Sequence, residues 1–219
     1  MATFSQAIQD YLKVIYKIGR RGRAVTTTAL AQRMDVSAAS ATNMLKRLAR
    51  LGLVRHTPYR AAVLTAEGER AALEIIRHHR LLELFLHEHL GLGLDQVHEE
   101  AEELEHVLSE PVESRIAAML GNPTADPHGD PIPSHAGAVR ETAHPRLGDL
   151  APGAGGRVVR VSDEHPGRLR RLATLGLVPG ARVRVLRRGA AGTLAAVAGG
   201  PPRRVSAQLA RAVFVAPRA

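Results

Sequence analysis

The sequence predicts a mainly α-helical protein of three modules: an N-terminal winged helix-turn-helix, a helical dimerisation domain and a small C-terminal β-barrel. Three observations lead there. Apolar residues recur at helical spacing through most of the first 120 residues, the last 67 switch to short β-branched runs, and charge divides the chain in three. Residues 1–60 carry 11 Lys or Arg against Asp10 and Asp35, residues 61–150 carry 6 Arg against 17 acids, and residues 151–219 carry 13 Arg against Asp163 and Glu164. A basic first module invites a polyanion, and an acidic middle invites a cation. With no Trp, no Cys and 3% aromatics, the core falls to Leu, Val, Ile and Ala, and disulfides and thiolate ligands are excluded. No segment reaches the roughly 18–20 apolar residues of a membrane span. No signal-peptide pattern opens the chain. A cytoplasmic protein without a membrane partner is expected.

Residues 4–18 place Phe4, Ile8, Leu12 and Ile15 on one helix face, with Tyr11, Val14 and Ile18 beside them, and Gly19 and Gly22 are read as the stop. A short helix follows Thr26–Thr28 as far as Met34, Asp35 and Val36 turn, and Ser37 caps a helix to Arg50 that Gly52 ends. Ala31 and Val36 are read as the small residue and the turn core, and Ala41, Leu45 and Leu48 as the buried face. Leu53–Arg55 and Ala62–Leu64 read as two strands of a wing. The opposite helix face carries Ala39, Ser40, Asn43, Lys46, Arg47 and Arg50. With Thr27, Ser37 and Arg60 these are the candidate contacts to bases and phosphates of double-stranded DNA. Domain 1 is therefore drawn at 1–64.

Thr65 caps a long helix to about His89, rich enough in Leu and Ile to pair with a two-fold mate. Helices are expected at 94–109 and 111–120, completing a metal-binding and dimerisation domain at 65–120. Residues 121–152 hold 10 Pro or Gly and read as a linker. Residues 153–219 form the barrel, from strands at 157–161, 181–186, 194–197 and 213–215 and a helix at 168–175.

The run HRLLELFLHEHLGLGLDQVHEEAEELEH (79–106) carries the chemistry. His79 and Glu83 are four apart, His98, Glu102 and His106 repeat at four-residue steps, and Glu105 lies three beyond Glu102, so imidazoles and carboxylates share helix faces. A helical bundle builds divalent metal sites this way, and clustered carboxylates repel unless a cation sits among them. Nitrogen and oxygen donors suit manganese, iron(II) or zinc. The other histidines (56, 78, 87, 89, 128, 135, 144 and 165) are read as surface or satisfied core residues. His98-Glu99-Glu100-Ala101-Glu102 falls one His short of a zinc-protease motif, and a bundle offers no cleft with an open metal position. A metalloenzyme is thus the alternative of another class, and the expectation is no enzyme.

Five stretches together resemble the diphtheria toxin repressor family of metal-dependent transcriptional regulators: YLKVIY (11–16), HRLLE (79–83), VHEEAEELEHVLS (97–109), DPHGDPIP (126–133) and LGLVPGARVRVL (175–186). The resemblance spans residues 4–216, and its last stretch is similar to the FeoA-like β-barrel of the longer members. It implies a homodimer on a DNA operator with two-fold half-sites, and repression of metal-uptake genes. It implies a primary centre of Asp10, Glu102, Glu105 and His106. It also implies an ancillary centre of His79, Glu83 and His98 completed from the barrel, for which Asp163 and Glu164 are the candidates. Iron-responsive members tend to have Met and Cys where this chain has Asp10 and Glu102, and manganese-responsive members have Asp and Glu. The resemblance therefore points to Mn2+, with Fe2+ as the alternative. Lys13 stands where the short manganese regulators have a Glu that helps hold a second, adjacent ion, so separated centres are expected.

Overall fold

A computed structural model describes residues 4–20, 22–57, 60–140, 142–162, 165–188, 194–197 and 200–217. The wing tip at 58–59 and the two barrel candidates Asp163 and Glu164 lie outside the described residues. The chain divides into two compact units, the first holding residues up to His78 with Glu105–Leu108 and Pro133–Ala138, the second holding His79–Leu104, Ser109–Ile132 and the chain from Val139 onward.

The first unit opens with α1 (Gln6–Arg20), α2 (Thr27–Met34) and α3 (Ala38–Arg50), then a hairpin of β1 (Val54–Arg55) and β2 (Val63–Leu64) paired antiparallel. Gly19 does not stop α1; the helix runs to Arg20, and the chain turns at Gly22, whose φ is +67°. Thr26 and Ser37 cap α2 and α3 through Ala29 N–H and Ser40 N–H, each at 3.1 Å. Asp35 ends α2 in the left-handed region, which a short polar side chain tolerates. Ile8, Leu12, Ile15, Leu30, Leu45, Leu48 and Leu53 form one buried cluster. Val36, expected inside the turn, is exposed instead, and follows the left-handed Asp35. Val25 adds a bridge to Ala62 beside the wing.

α4 (Ala66–Leu90) is a single helix, capped by Thr65, whose hydroxyl accepts from Gly68 N–H and donates to Gly52 O. α5 is shorter than its expected span, covering only Val97–Leu104, and α6 covers Glu110–Met119. Gln96 Oε1 accepts from Gly93 N–H at 3.0 Å in the turn that leads into α5, and the chain turns again at 105–107. His98 and Glu102 thus share a helix face, but His106 lies beyond the helix and leaves the stripe.

The second unit carries an antiparallel five-stranded sheet in the order β6 (Arg203–Val205), β5 (Leu194–Val197), β4 (Arg182–Arg188), β3 (Gly155–Val161), β7 (Val213–Pro217). The barrel expected from sequence is described here as this sheet; no ladder between β6 and β7 closes it among the described residues. α7 (Pro166–Thr174) joins β3 to β4, and α8 (Ala207–Arg211) precedes β7. β6 and α8 carried no readable pattern in the sequence. Leu147, Val158, Leu172, Leu177, Val185, Val213 and Val215 fill the core. No helix among the described residues is long and apolar enough to cross a membrane.

Residues 126–132, inside the stretch expected to be a linker, form a built turn. Asp126 Oδ1 accepts from the N–H groups of His128 and Asp130, each at 2.9 Å, and His128 O accepts from Val161 N–H of β3 at 2.8 Å. Gly129, at φ +88°, lies so close to β3 that a Cβ would land on the Val159 carbonyl oxygen. Gly129→Ala should therefore lower the unfolding free energy by about 1–3 kcal/mol through strain at this joint. Chemical denaturation monitored by circular dichroism measures it, and an unchanged midpoint and slope would show that the turn and β3 part without cost.

Candidate metal centres

The first unit brings Asp10 of α1 together with Glu105 and His106, which follow α5. His106 Nε2 lies 3.1 Å from Asp10 Oδ1 and 3.6 Å from Glu105 Oε1. The other ring nitrogen, Nδ1, is 2.5 Å from Gln9 Oε1. Gln9 Nε2 donates to Phe4 O at 3.3 Å, which fixes the amide so that its oxygen faces the ring. Nδ1 therefore carries the proton, and Nε2 is left as the donor nitrogen facing the two carboxylates; outer partners of this kind orient ligand histidines. Glu105 is buried and Asp10 partly exposed, so the group opens towards solvent on the Asp10 side. Lys13, also buried, places its Nζ 2.5 Å from Glu105 Oε1.

The second unit centres on Glu83, which is 1% exposed. Its Oε1 lies 3.0 Å from His79 Nε2 and 3.1 Å from His98 Nδ1, and the two imidazoles meet edge to face at 4.8 Å. Glu102, half-exposed on α5, stands 3.7 Å from His98 Nε2 and 3.9 Å from His79 Nδ1. The second Glu83 oxygen, Oε2, faces His128 Nδ1 at 3.7 Å, beyond hydrogen-bond reach. Both atoms are fully buried and have no hydrogen-bond partner. Asp126 completes the set, and Glu83, Asp126 and His128 each offer a donor atom within 4.8 Å of the others. His128 Nε2 points to Leu94 O at 2.8 Å, leaving Nδ1 aimed at Glu83.

Electrostatics couple these buried groups. Burial alone would raise the Glu83 carboxyl, but the charge of His79, with His128 and His98 alongside, holds it well below the usual carboxylate range. Burial pushes Asp126 well above its ordinary value, helped by the charges of Glu83 and Asp130 and opposed by Arg80 and His128. Burial would lower His128; Glu83 and then Asp126 outweigh it and push the ring up to about 10. Glu83 and Asp126 are buried carboxylates that repel each other, a strain that a divalent cation relieves. All donors are carboxylate oxygen or imidazole nitrogen, which fits manganese, iron(II) or zinc and not a soft-metal site.

His128 and Asp126 are the residues that sequence reasoning missed, His128 having been read as surface or satisfied core. The signal was a His held between Pro127 and Gly129 and flanked by Asp126 and Asp130, a rigid turn that fixes donors in place. Gln9, beside Asp10, was missed because an amide announces no metal chemistry. Of the proposed DNA contacts, Ser37, Ala39, Ser40, Asn43, Lys46, Arg47, Arg50 and Arg60 are exposed and Thr27 is half-buried. Ser37 Oγ is engaged as the cap of α3 and lies 2.9 Å from Ser40 Oγ.

Three family descriptions match the chain in succession: "Iron dependent repressor, N-terminal DNA binding domain" over residues 3–62, "Iron dependent repressor, metal binding and dimerisation domain" over 65–134, and "FeoA domain" over 146–217. The iron-dependent repressor IdeR of Mycobacterium leprae is 36% identical over 187 residues, covering 80% of this chain and 81% of that protein. The diphtheria toxin repressor of Corynebacterium diphtheriae is 34% identical over 123 residues, 56% of this chain and 54% of the other. Among solved structures, a manganese-dependent transcriptional repressor in complex with manganese superposes with a TM-score of 0.86 at 41% identity, covering 96% of this chain and all of the other. The manganese regulator SloR gives 0.75 at 30%, covering 96% and 98%.

A metal ion held by His128 requires the neutral ring, and a ring raised to about 10 is protonated at pH 7. Loading should therefore release at least one proton at this centre, and affinity should fall by at least about tenfold for each pH unit below 10. Calorimetric titrations in buffers of differing ionisation enthalpy count that proton. Equal heats in all buffers would remove His128 from the ligand set.

Proposed function

Because the chain belongs to the iron-dependent repressor family of metal-dependent, DNA-binding transcriptional regulators, which are not enzymes, we propose that Mn2+ is its effector and that the primary centre is Asp10, Glu102, Glu105 and His106. The observation that carries the reading is the convergence of Asp10 and Glu105 on His106 Nε2, a donor set of oxygen and nitrogen alone. Glu102 joins the set through the family resemblance. The ancillary centre is proposed as His79, Glu83 and His98 with Asp126 and His128 added, because Glu83 Oε2 and His128 Nδ1 face each other at 3.7 Å, buried and without a hydrogen bond. Asp163 and Glu164 remain its barrel candidates. Iron(II) is the second reading: the same donors accept it, and the IdeR relatives are named iron-dependent.

When bound, the divalent ion supplies the positive charge that lets several carboxylates share one site. Asp10 lies on the first helix of the DNA-binding module, and Glu105 and His106 lie 95 and 96 residues later, so pulling these side chains together fixes α1 against the turn after α5. In a two-fold dimer this restricts the spacing of the two α3 helices. Half-sites one DNA turn apart, or a multiple of it, then select the restricted geometry. The dimer face is proposed to use the exposed apolar residues Leu90, Val112 and Met119, all within the matched dimerisation span. The module limits 1–64, 65–120, 121–152 and 153–219 are retained as the working division, with residues 126–132 assigned to the ancillary centre. A cytoplasmic repressor of metal-uptake genes is the physiological reading.

A DNA-binding titration with manganese, iron(II), zinc and cobalt side by side tests the effector, and manganese should act at the lowest concentration. Asp10→Ala should lose the metal stimulation, a factor of roughly 5–150, while remaining a folded dimer; an unchanged manganese-dependent shift would sink the primary centre. Arg47→Ala should weaken DNA binding and, for a phosphate contact, reduce the salt slope by about one. Full affinity at moderate salt would remove Arg47 from the interface.

A further inference from the structure

Lys13 is a basic side chain buried inside the proposed primary centre. It is 3% exposed, and its ammonium sits 2.5 Å from Glu105 Oε1. That same oxygen is the one that faces His106 Nε2, at 3.6 Å. A metal ion held between His106 and Glu105 therefore draws on an atom already bonded to a cation. We infer that the Lys13 ammonium is an internal competitor of the metal, occupying Glu105 in the metal-free chain and so raising the metal concentration at which the centre fills.

Three physical points carry this inference, which rests on the reading of Asp10, Glu105 and His106 as a metal centre. First, Glu105 is 1% exposed, and an ionised carboxylate at that depth needs a cation beside it. Lys13 supplies one from within the chain, so the centre stays assembled without metal. Second, a carboxylate oxygen that accepts a charge-assisted hydrogen bond has less electron density to give to a metal. Third, a divalent ion entering the group meets a fixed positive charge a few ångströms away, at an interior site where screening by water is weak. The second and third effects oppose metal binding, and both vanish if the charge at residue 13 is removed. The first lowers the cost of assembling Glu105, and it would be lost in the same substitution. The opposing terms dominate because His106 is also held by Gln9 and Asp10.

The experiment is calorimetric titration of the metal-stripped full chain with manganese chloride, comparing wild type with Lys13→Met and Lys13→Gln. Asp10→Ala identifies which part of the isotherm belongs to the primary centre. Both Lys13 variants should bind manganese there about tenfold more tightly or better, and the manganese threshold for DNA binding should fall by the same factor. Equal or weaker affinity in a variant whose circular dichroism is native overturns the inference. Lys13→Gln keeps a neutral donor for Glu105 and carries the measurement if Lys13→Met does not fold. Failure of both to fold also counts against it, since Lys13 would then be required for folding and not for setting a threshold. If Asp10→Ala titrates like wild type, the centre itself is wrongly assigned; if Asp10→Ala loses a site while the Lys13 variants do not tighten the other, only the lysine inference falls.

Discussion

Ionised carboxylates are costly to bury, and this chain buries Glu83 and Glu105 almost completely. Each is surrounded by groups that can carry positive charge. Glu105 has Lys13 and His106, whereas Glu83 has His79, His98 and His128. The two solutions differ in kind. Glu105 meets a lysine Nζ and one imidazole. Glu83 meets three imidazoles, side chains that serve both as proton carriers and as metal ligands. The helices and turns of the middle of the chain are arranged so that these side chains arrive at the two carboxylates.

Much of this was legible in the sequence because it rests on period and spacing. Apolar residues at helical steps gave α1 to α4, and Ser37 and Thr65 marked two helix starts that their hydroxyls do cap. His79 and Glu83, four apart on α4, meet at 3.0 Å as the helical period requires. Failures came where position depends on the end of an element. α5 stops at Leu104, so His106 is turned away from the His98–Glu102 face towards Gln9 and Asp10. No periodic rule foresees that turn. His128 was discounted because a lone His outside a helix has no partners at fixed sequence distance. Its partners are Glu83, 45 residues earlier, and the Leu94 carbonyl, which only the folded chain supplies.

Charge segregation in the sequence also takes on meaning from the folded chain. The acidic middle is not one acidic patch: its carboxylates are distributed between the buried Glu83 and Asp126 and exposed positions such as Glu99 and Glu103. Arg80 stands 3.7 Å from both Asp126 and Asp130, and Arg160 of β3 reaches Asp130 at 3.2 Å. The turn that carries His128 is thereby braced by one guanidinium from α4 and another from the sheet. Such bracing holds the turn in place and leaves His128 Nδ1 without a hydrogen bond.

The joint between that turn and β3 is made by main chain, through Val161 N–H, His128 O and the bare Cα of Gly129. Contacts of this type are indifferent to which side chains drift across the sheet surface over generations. The FeoA-matched portion could exchange most of its exterior residues and still present the same rail to the turn. The side-chain requirement at this joint falls on Gly129, where any Cβ would meet Val159 O. A descendant that dispensed with the third module would forfeit the wall against which His128 is set, and would have to furnish the Glu83 carboxylate with a different neighbour.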